Sequence, residues 1–335
     1  MKRVGYLVEK IADRDNLLLA FYKAKRGKQY KKEVISFGDN LEYNITKLQN
    51  EIISGRVSVG KYHSFVITDP KKRNIYAASF DERVLHHAIM IVCHQYFERN
   101  LIETTYATRI DKGVYKALDK AIYASKKYNY VAKLDFKKYF DSISHQILKE
   151  KLERIFKDKR LLYIFSQIID TYSVNEGSGI PIGNLTSQYF ANYYLSSLDH
   201  YIKEDLKIPV YVRYMDDMLL FDNDRANLRR SVNLIKKYST DKLELLLKTP
   251  IIKRTSDTVS FLGYKIGCNM VLLNSRSRNR FSKKILKYDK LLLNGVWNEK
   301  EYQLHILPLM SFVRYAYTKK MRKRILCRIK SEERL

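Results

Sequence analysis

The most informative pattern of hydrophobic and polar positions lies in residues 211–221. The run reads Tyr-Val-Arg-Tyr-Met-Asp-Asp-Met-Leu-Leu-Phe, with two adjacent carboxylates between two apolar, β-prone segments. It predicts a tight hairpin, buried on both faces, with Asp216 and Asp217 at its tip. An Asp-Asp pair alone is typical of a solvated turn. The apolar flanks favour a functional pair, because two carboxylates beside a buried ribbon repel each other and require a cation such as Mg²⁺.

Helical and extended periodicities follow one another irregularly along the rest of the chain. The elements predicted before residue 113 are a helix capped by Asp15 or Asn16 and ended by Gly27, a helix over 44–53, strands over 56–59, 64–68 and 74–76 around a basic turn (69–73), and a helix over 81–98. Between residue 113 and the hairpin, the predicted elements are a helix following Gly113, a strand over 130–134 and helices over 144–156, 159–172 and 185–204. After the hairpin they are a helix over 225–240, strands near Leu245 and Phe261, and basic helices from Arg276, broken at Gly295. This mixed order predicts an α+β fold.

The charge balance narrows the class of partner. The 335 residues include 63 Lys and Arg against 36 Asp and Glu, a formal net charge of +27. Such an excess of positive charge repels itself unless a polyanion offsets it, so nucleic acid is the first candidate partner and an anionic membrane surface the second. The 27 Tyr and 14 Phe favour nucleic acid, because aromatic rings stack on bases.

Two further observations concern the membrane and the cysteines. The longest uncharged stretch, 177–198, contains Pro181 and several amide side chains, so we expect no membrane partner. The N-terminus lacks the long apolar segment of a secretory signal. The three cysteines form no Cys-x-x-Cys pair, which argues against a zinc knuckle and favours a cytoplasmic location.

A third carboxylate is available at the end of another predicted strand. Asp135 directly follows the apolar run 130–134. An Asp at a strand end is more often a cap, but nucleotidyl transfer by two metal ions requires two or three convergent carboxylates. We therefore expect Asp135 to join Asp216 and Asp217.

Two motifs carry a family resemblance. Tyr-Met-Asp-Asp between apolar segments and Asp-Phe-Lys-Lys-Tyr-Phe-Asp-Ser-Ile, which starts at Asp135, resemble the catalytic motifs of reverse transcriptases. The resemblance implies a right-hand polymerase fold, with a basic helical N-terminal extension (1–55), fingers and palm (56–266) and a basic helical thumb (267–335). It implies that Asp135, Asp216 and Asp217 are catalytic and hold two Mg²⁺ ions, for which Mn²⁺ can substitute. The implied partners are dNTPs, a template RNA and the RNA–cDNA duplex.

The same resemblance implies roles for further side chains. Phe140 would exclude ribonucleotides, although a core Phe is the alternative. Arg73 and Lys72 would contact the triphosphate, and Lys248 would donate a proton to pyrophosphate, although a lysine is common on exposed strands. The remaining nucleotide contacts would be Arg109, Phe136, Ile182, Gln188 and Met215, with Phe261, Leu262 and Gly263 as the primer grip. Arg109 could equally be a structural ion-pair partner.

The loop over residues 179–188 points to one branch of the family. It reads Gly-Ile-Pro-Ile-Gly-Asn-Leu-Thr-Ser-Gln, with Ile182 where group II intron and retron enzymes usually have Gln. This resembles the reverse transcriptases of diversity-generating retroelements, which implies cDNA with errors at template adenines and an accessory oligomeric helical protein. Because Ile can only pack against a nascent pair, it should reject mispairs less well than Gln. Asn184 and the Ser187-Gln188 pair could instead simply cap a helix.

Three alternatives stay open at this point. They are a retron or group II intron type of reverse transcriptase, a non-catalytic RNA-binding protein that keeps the fold, and a membrane-surface binder. Because residue 335 lies soon after the expected thumb, we expect no RNase H, maturase or endonuclease domain.

Overall fold

A computed structural model describes residues 3–68 and 71–332, with side chains to residue 325. Its helices in the first half of the chain are α1 (Val8–Ile11), α2 (Arg14–Lys25), α3 (Lys32–Asp39), α4 (Leu41–Ser54), α5 (Phe80–Glu98), α6 (Val114–Lys127), α7 (His145–Ile155) and α8 (Lys159–Asp170). The later helices are α9 (Leu185–Tyr194), α10 (Ser196–His200), α11 (Arg225–Leu243), α12 (Ser275–Leu293), α13 (Glu299–Arg314) and α14 (Lys319–Glu332). A 3₁₀ turn spans Tyr139–Ser142 and a π-helical turn spans Tyr201–Asp205.

The strands form three antiparallel sheets. Their bounds are β1 (Tyr62–Ile67), β2 (Arg73–Ala78), β3 (Tyr130–Leu134), β4 (Val210–Tyr214), β5 (Asp217–Asp222), β6 (Ile251–Arg254), β7 (Val259–Phe261), β8 (Tyr264–Gly267) and β9 (Met270–Leu273). β1 and β2 form a hairpin, β4-β5-β3-β6 a central sheet and β7-β8-β9 a smaller sheet. The predicted α+β class is confirmed.

Several sequence predictions need correction in the N-terminal part. The cap of α2 is Asp13, whose carboxylate accepts hydrogen bonds from the amides of Asp15 and Asn16. Residues 56–59 form no strand, and the helix expected over 44–53 is the C-terminal part of α4, with α3 before it unpredicted. Gly55 ends α4 in the left-handed conformation (φ 74°), which a glycine adopts without strain.

Later elements also differ in their bounds. The helix expected over 185–204 is divided into α9, α10 and the π-helical turn. The strand expected near Leu245 lies at β6, and two unpredicted strands, β8 and β9, follow the one at Phe261. Within the described residues, no helix is both long and apolar enough to cross a membrane.

The central sheet separates two hydrophobic cores, because side chains alternate between the two faces of a strand. Ala132, Leu134 and Leu220 belong to the larger core, which they share with the N-terminal helices, α5, α7, α8, α9 and α11. Val131 and Leu219 face the smaller core, with α6, the β7-β8-β9 sheet and α12. We call these the helical face and the open face of the sheet.

Candidate active site

The β4-β5 hairpin places its two acids at one end of the central sheet. Tyr214 pairs with Asp217, so Met215 and Asp216 are the two connecting residues. Met215 has a φ of 53°, a conformation that strains a non-glycine residue by about 1–3 kcal/mol. The predicted hairpin, buried on both faces, is confirmed.

Strand pairing brings Asp135 to the same end. β3 runs antiparallel to β5, with Leu134 opposite Met218. Asp135, which follows Leu134, and Asp217, which precedes Met218, therefore lie at the same edge of the sheet. By the alternation of side chains, both belong to the open face, with Lys133 two positions before Asp135. The sheet therefore gathers the backbone positions of all three predicted carboxylates.

Burial and mutual repulsion raise the pKa values of Asp216 and Asp217. Burial raises the pKa of Asp216, and the neighbouring Asp135 carboxylate raises it further. Burial raises the pKa of Asp217 to about 6, although the Lys133 ammonium opposes that change. A positive charge at this edge would relieve both effects.

Two lysines supply part of that charge. Lys248 Nζ lies 2.6 Å from Asp135 Oδ2, and the Lys248 amide donates to the Asp135 carbonyl at 2.9 Å. Lys133 Nζ lies 3.1 Å from Asp217 Oδ1 and 2.6 Å from the carbonyl oxygen of Ser260. Each ammonium group thus holds one carboxylate.

The carboxylates of Asp135, Asp216 and Asp217 are suitable ligands for a hard divalent cation, although they are not yet arranged around one position. Asp135 Oδ1 is buried and receives no hydrogen bond, Asp217 Oδ1 is buried with the Lys133 ammonium 3.1 Å away, and carboxylate oxygens are the ligands that Mg²⁺ prefers. In the described part of the chain, no group of three or more His, Cys, Asp or Glu side chains stands ready to hold a metal ion. The side chains of Asp135, Asp216 and Asp217 would have to reorient to share an ion.

A buried polar network supports the hairpin from the helical face. Arg213, with no exposed surface, pairs with the equally buried Asp199 through Nε at 2.7 Å and Nη2 at 2.5 Å. Arg213 Nη1 also donates to Asn192 Oδ1 at 2.9 Å and to the carbonyl of Met215 at 3.1 Å. Tyr211 donates its hydroxyl to Asp199 at 2.8 Å. Sequence reasoning missed this network, although a charged residue in the middle of a buried strand is the signal that could have revealed it.

The two phenylalanines that follow Asp135 differ in their access to a ligand. Phe136 is 1% exposed and stacks on Tyr139 within the larger core, so its ring is withdrawn from solvent and its contact with a nucleotide stays a prediction. Phe140 is only partly buried, and its carbonyl accepts from the Ile180 amide at 2.9 Å. This bond joins the 3₁₀ turn to the loop before α9.

Arg109 is committed to a structural role. Its Nε and Nη2 bind Glu98 Oε1 at 2.8 and 2.7 Å, and Nη1 donates to the carbonyls of Ile102 and Thr105. The side chain is 6% exposed. The structural ion pair that the sequence left open is therefore what the geometry supports, and nucleotide contact by Arg109 is corrected.

The predicted phosphate-binding residues lie on the β1-β2 hairpin. Arg73 opens β2 opposite Ile67, so it belongs to the strand and not to the turn. Lys72 precedes it, and both side chains are exposed. Asp69 and Pro70 of the predicted turn lie outside the described residues.

The loop before α9 docks on β2. The Tyr76 amide donates to the Ile182 carbonyl at 2.8 Å, and the Ala78 amide donates to Asn184 Oδ1 at 2.9 Å. Asn184 therefore uses its side chain to hold β2, and its expected role as a capping side chain of α9 is wrong. Gly183 has a φ of 128°, and a Cβ there would lie 2.7 Å from Ile75, so only glycine fits. Gln188 is exposed on the first turns of α9.

The predicted primer grip forms the β7-β8 turn. Phe261 is 1% exposed in the smaller core, whereas Leu262 and Gly263 adopt left-handed φ values of 48° and 92°. A Cβ on Gly263 would lie 2.9 Å from both Phe312 and Ser277, so the turn packs closely against α12 and α13. Leu262 and Gly263 are partly exposed, whereas Phe261 is buried, and the grip stays a prediction.

Known proteins resemble the part of the chain that builds this site. The model of the family "Reverse transcriptase (RNA-dependent DNA polymerase)" matches residues 68–266, more than half of the chain. The putative COX1/OXI3 intron 1 protein of Saccharomyces cerevisiae is 21% identical over 180 residues, which cover 51% of this chain and 22% of that protein. Protein YkfC of Escherichia coli is 21% identical over 170 residues, 47% of this chain and 45% of that protein. This chain thus spans less than half the length of either relative.

Among solved structures, apo telomerase from Candida tropicalis aligns with a TM-score of 0.50. It is 13% identical and the alignment covers 71% of this chain and 54% of telomerase, so the likeness concerns the fold alone. With the family match, it identifies the right-hand polymerase fold. The antiparallel β4-β5-β3-β6 sheet, its three carboxylates and the matched residues lead to one assignment: the chain belongs to the reverse transcriptase family.

Proposed function

We propose that the protein is an RNA-directed DNA polymerase whose catalytic residues are Asp135, Asp216 and Asp217. The observation that carries the proposal is the register of β3 and β5, which brings these three positions to one edge of a buried sheet. The family assignment supports the same reaction class. In this proposal, the fold holds the three carboxylates close together despite their mutual repulsion, and a bound cation would neutralise that repulsion.

The three carboxylates would hold two Mg²⁺ ions, or Mn²⁺ in their place. Bound there, the ions would activate the primer 3′-hydroxyl and stabilise the pyrophosphate leaving group. Asp135 offers a buried oxygen without a hydrogen bond for this purpose, and Asp217 offers one that faces Lys133 Nζ at 3.1 Å. Lys248, now 2.6 Å from Asp135, would release that carboxylate and donate a proton to pyrophosphate.

The incoming dNTP would lie between the central sheet and the β1-β2 hairpin. Lys72 and Arg73 are exposed on that hairpin and would bind the triphosphate. Phe140 would pack under the sugar and exclude a 2′-hydroxyl. Met215 and Ile182 would border the nascent base pair, with Gln188 following on α9.

Template RNA and the RNA–cDNA duplex would run across the open face. Leu262 and Gly263 would hold the primer, since their turn faces α12 and α13. The basic segment Lys319–Arg324 in α14 would contact phosphates, in keeping with the net charge of +27. The division into an N-terminal extension (1–55), fingers and palm (56–266) and thumb (267–335) belongs to this proposal.

Within the family, we favour the reverse transcriptase of a diversity-generating retroelement, acting in the cytoplasm. The residue that supports this is Ile182, whose carbonyl is fixed by Tyr76 so that an apolar side chain stands in the loop before α9. An apolar group there cannot hydrogen-bond a base, which favours error-prone copying at template adenines. An accessory oligomeric helical protein would be the partner of such an enzyme.

Primer extension on an RNA template tests the activity. Purified protein with Mg²⁺ should extend a DNA primer, and the double variant Asp216→Ala with Asp217→Ala should lose extension by at least about 10³-fold, since it removes two metal ligands. Asp241→Ala, an exposed acid on α11, is the matched control and should retain full activity. Extension that survives the double change would remove the hairpin from the mechanism.

A second measurement separates the enzyme from a non-catalytic RNA-binding protein with the same fold. Calorimetric titration with Mg²⁺ should show binding that Asp135→Ala abolishes. RNA binding without any Asp135-dependent metal binding would favour the non-catalytic alternative.

A further inference from the structure

Lys133 is the one side chain in the centre of β3 whose charge points towards the candidate active site. It lies on the open face, two residues before Asp135 and opposite Leu219 of β5. Its neighbours on this face include Val131 and Leu219, which are both buried in the smaller core. A lysine at a position that otherwise suits an apolar residue requires a specific partner.

The partners of Lys133 come from two different sheets. Nζ lies 3.1 Å from Asp217 Oδ1 and 3.4 Å from Oδ2, and it donates to the Ser260 carbonyl of β7 at 2.6 Å. The side chains of Lys133 and Asp217 are 19% and 24% exposed, so water screens this pair only partly. Lys133 thus bridges the acidic tip of the central sheet to the strand that leads into the Leu262-Gly263 turn.

We propose that Lys133 is a resident counter-cation for Asp217 that competes with divalent metal and thereby sets the metal affinity of the site. The inference rests on the proposed function, because it takes Asp217 to be a metal ligand. Lys133 is a positioning residue in this scheme, since it acts on the reaction only through Asp217 and β7.

Electrostatics explains why Lys133 and a metal ion compete. An ammonium group about 3 Å from a carboxylate oxygen occupies the side from which a cation would approach, and two like charges at that spacing repel strongly in a partly buried site. Metal binding to Asp217 therefore requires Lys133 Nζ to withdraw. The Ser260 carbonyl gives it a place to withdraw to, so that the ammonium keeps one hydrogen bond when it leaves Asp217.

This arrangement couples the metal site to the primer side of the protein. Without metal, Lys133 holds Asp217 and β7 together. With metal, its remaining protein partner is β7, whose following turn packs against Phe312 and Ser277 of the predicted thumb. Lys248 differs, because it is 45% exposed and its ammonium bonds to the strand-end residue Asp135 and not to a second sheet.

Mn²⁺ binding to the full chain, without nucleic acid or dNTP, tests the proposal. The probe is Mn²⁺ itself, followed by the electron paramagnetic resonance signal of the free ion. Lys133→Met keeps the length of the side chain and removes its charge, so we expect Mn²⁺ to bind roughly tenfold more tightly than to the unaltered protein. Lys133→Arg restores the charge and should return the affinity to that of the unaltered protein.

Two matched variants control for general charge effects and for the site itself. Lys253→Met removes an exposed lysine from the same sheet, opposite Val131, and should change the affinity by less than about twofold, because solvent screens its charge. Asp217→Asn combined with Lys133→Met should abolish the gain. Circular dichroism spectra confirm that each variant is folded.

The outcomes separate this proposal from the polymerase assignment. Unchanged Mn²⁺ affinity in Lys133→Met, or a gain that persists without the Asp217 carboxylate, overturns the role of Lys133. Absence of binding in both the unaltered protein and Lys133→Met overturns it as well. Because the assay uses neither primer nor template, a failure of primer extension leaves this result intact.

Discussion

The two faces of the central sheet differ in how completely their buried charged groups are hydrogen-bonded. On the helical face, Arg213 and Asp199 are fully buried, and Asn192, Tyr211 and the Met215 carbonyl complete their hydrogen bonds. On the open face, Asp135 keeps a carboxylate oxygen that receives no hydrogen bond, and Asp217 Oδ1 has the Lys133 ammonium 3.1 Å away. The same few strands therefore contain one charge network that is complete and one that is incomplete.

This difference indicates that the helical face has a structural role and that the open face has the proposed catalytic one. A buried ion pair adds little net stability, because desolvation offsets most of the attraction, but it fixes geometry when its hydrogen bonds are complete. Arg213 fixes the carbonyl of the strained residue Met215 and so orients the hairpin tip. The open face retains an unsatisfied oxygen on Asp135, which costs folding free energy and stays available to a ligand that binds later.

The largest expected effect comes from breaking the complete network. Arg213→Met leaves the Asp199 carboxylate buried without its cation, so we expect a loss of about 3–5 kcal/mol in the free energy of unfolding, measured by urea denaturation. Lys253→Met, an exposed lysine of β6, should change it by less than about 0.5 kcal/mol.

A second variant sharpens this result. Arg213→Met with Asp199→Leu replaces both charges by apolar groups and should recover part of the lost stability. Primer extension should stay low in the double variant, because the Met215 carbonyl still lacks its donor. Full recovery of extension would show that Arg213 does not position the hairpin.

On the open face, removing a charge should instead stabilise the fold. Burial raises the pKa of Asp217 from 3.8 to about 6, so the folded state binds its proton more tightly than the unfolded state. The favourable contribution of this group exists at low pH and is lost as the pH rises through about 4 to 6. With metal removed by EDTA, Asp217→Asn should therefore raise the unfolding free energy by about 1–3 kcal/mol near pH 7.

The pH dependence checks the sign of that effect. The gain in Asp217→Asn should shrink towards zero at about pH 4, where the unaltered carboxylate is protonated in the folded state. A gain of the same size at both pH values would show that it does not arise from the shifted pKa of Asp217.

Local sequence patterns predict the strands that carry the acids, but they do not predict the side-chain partners on either face of the sheet. The hairpin at residues 211–221 and the strand before Asp135 follow directly from local hydrophobic patterns, and both are confirmed. The partners of Arg213 and Lys133 could not be predicted, because Asp199 and Ser260 reach them through tertiary packing and not through spacing. The burial of the Phe136 ring in the larger core is unpredictable for the same reason.

Phe140 tests whether the 3₁₀ turn after β3 sets sugar selectivity. Its ring is partly buried and its backbone is held by Ile180, so Phe140→Ala should open space for a 2′-hydroxyl without displacing the turn. We expect the preference for deoxyribonucleotides over ribonucleotides to fall by roughly tenfold or more, measured as the ratio of kcat/KM values. Phe140→Tyr keeps the ring and is the control. An unchanged ratio in Phe140→Ala would make Phe140 a core residue only.

The smallest expected effect concerns Ile182, whose backbone is fixed by β2 while its side chain stays partly exposed. Ile182→Gln adds a hydrogen-bonding group beside the nascent pair, so misincorporation opposite template adenine should fall by roughly three- to tenfold, measured by sequencing cDNA products. Ile182→Leu changes the shape of the side chain without adding polarity and should leave the errors unchanged. Because the Tyr76–Ile182 bond uses only backbone atoms, both variants should retain the docked loop. Equal error spectra in Ile182→Gln and the unaltered protein would limit this residue to packing, and would leave error-prone copying without support from the loop.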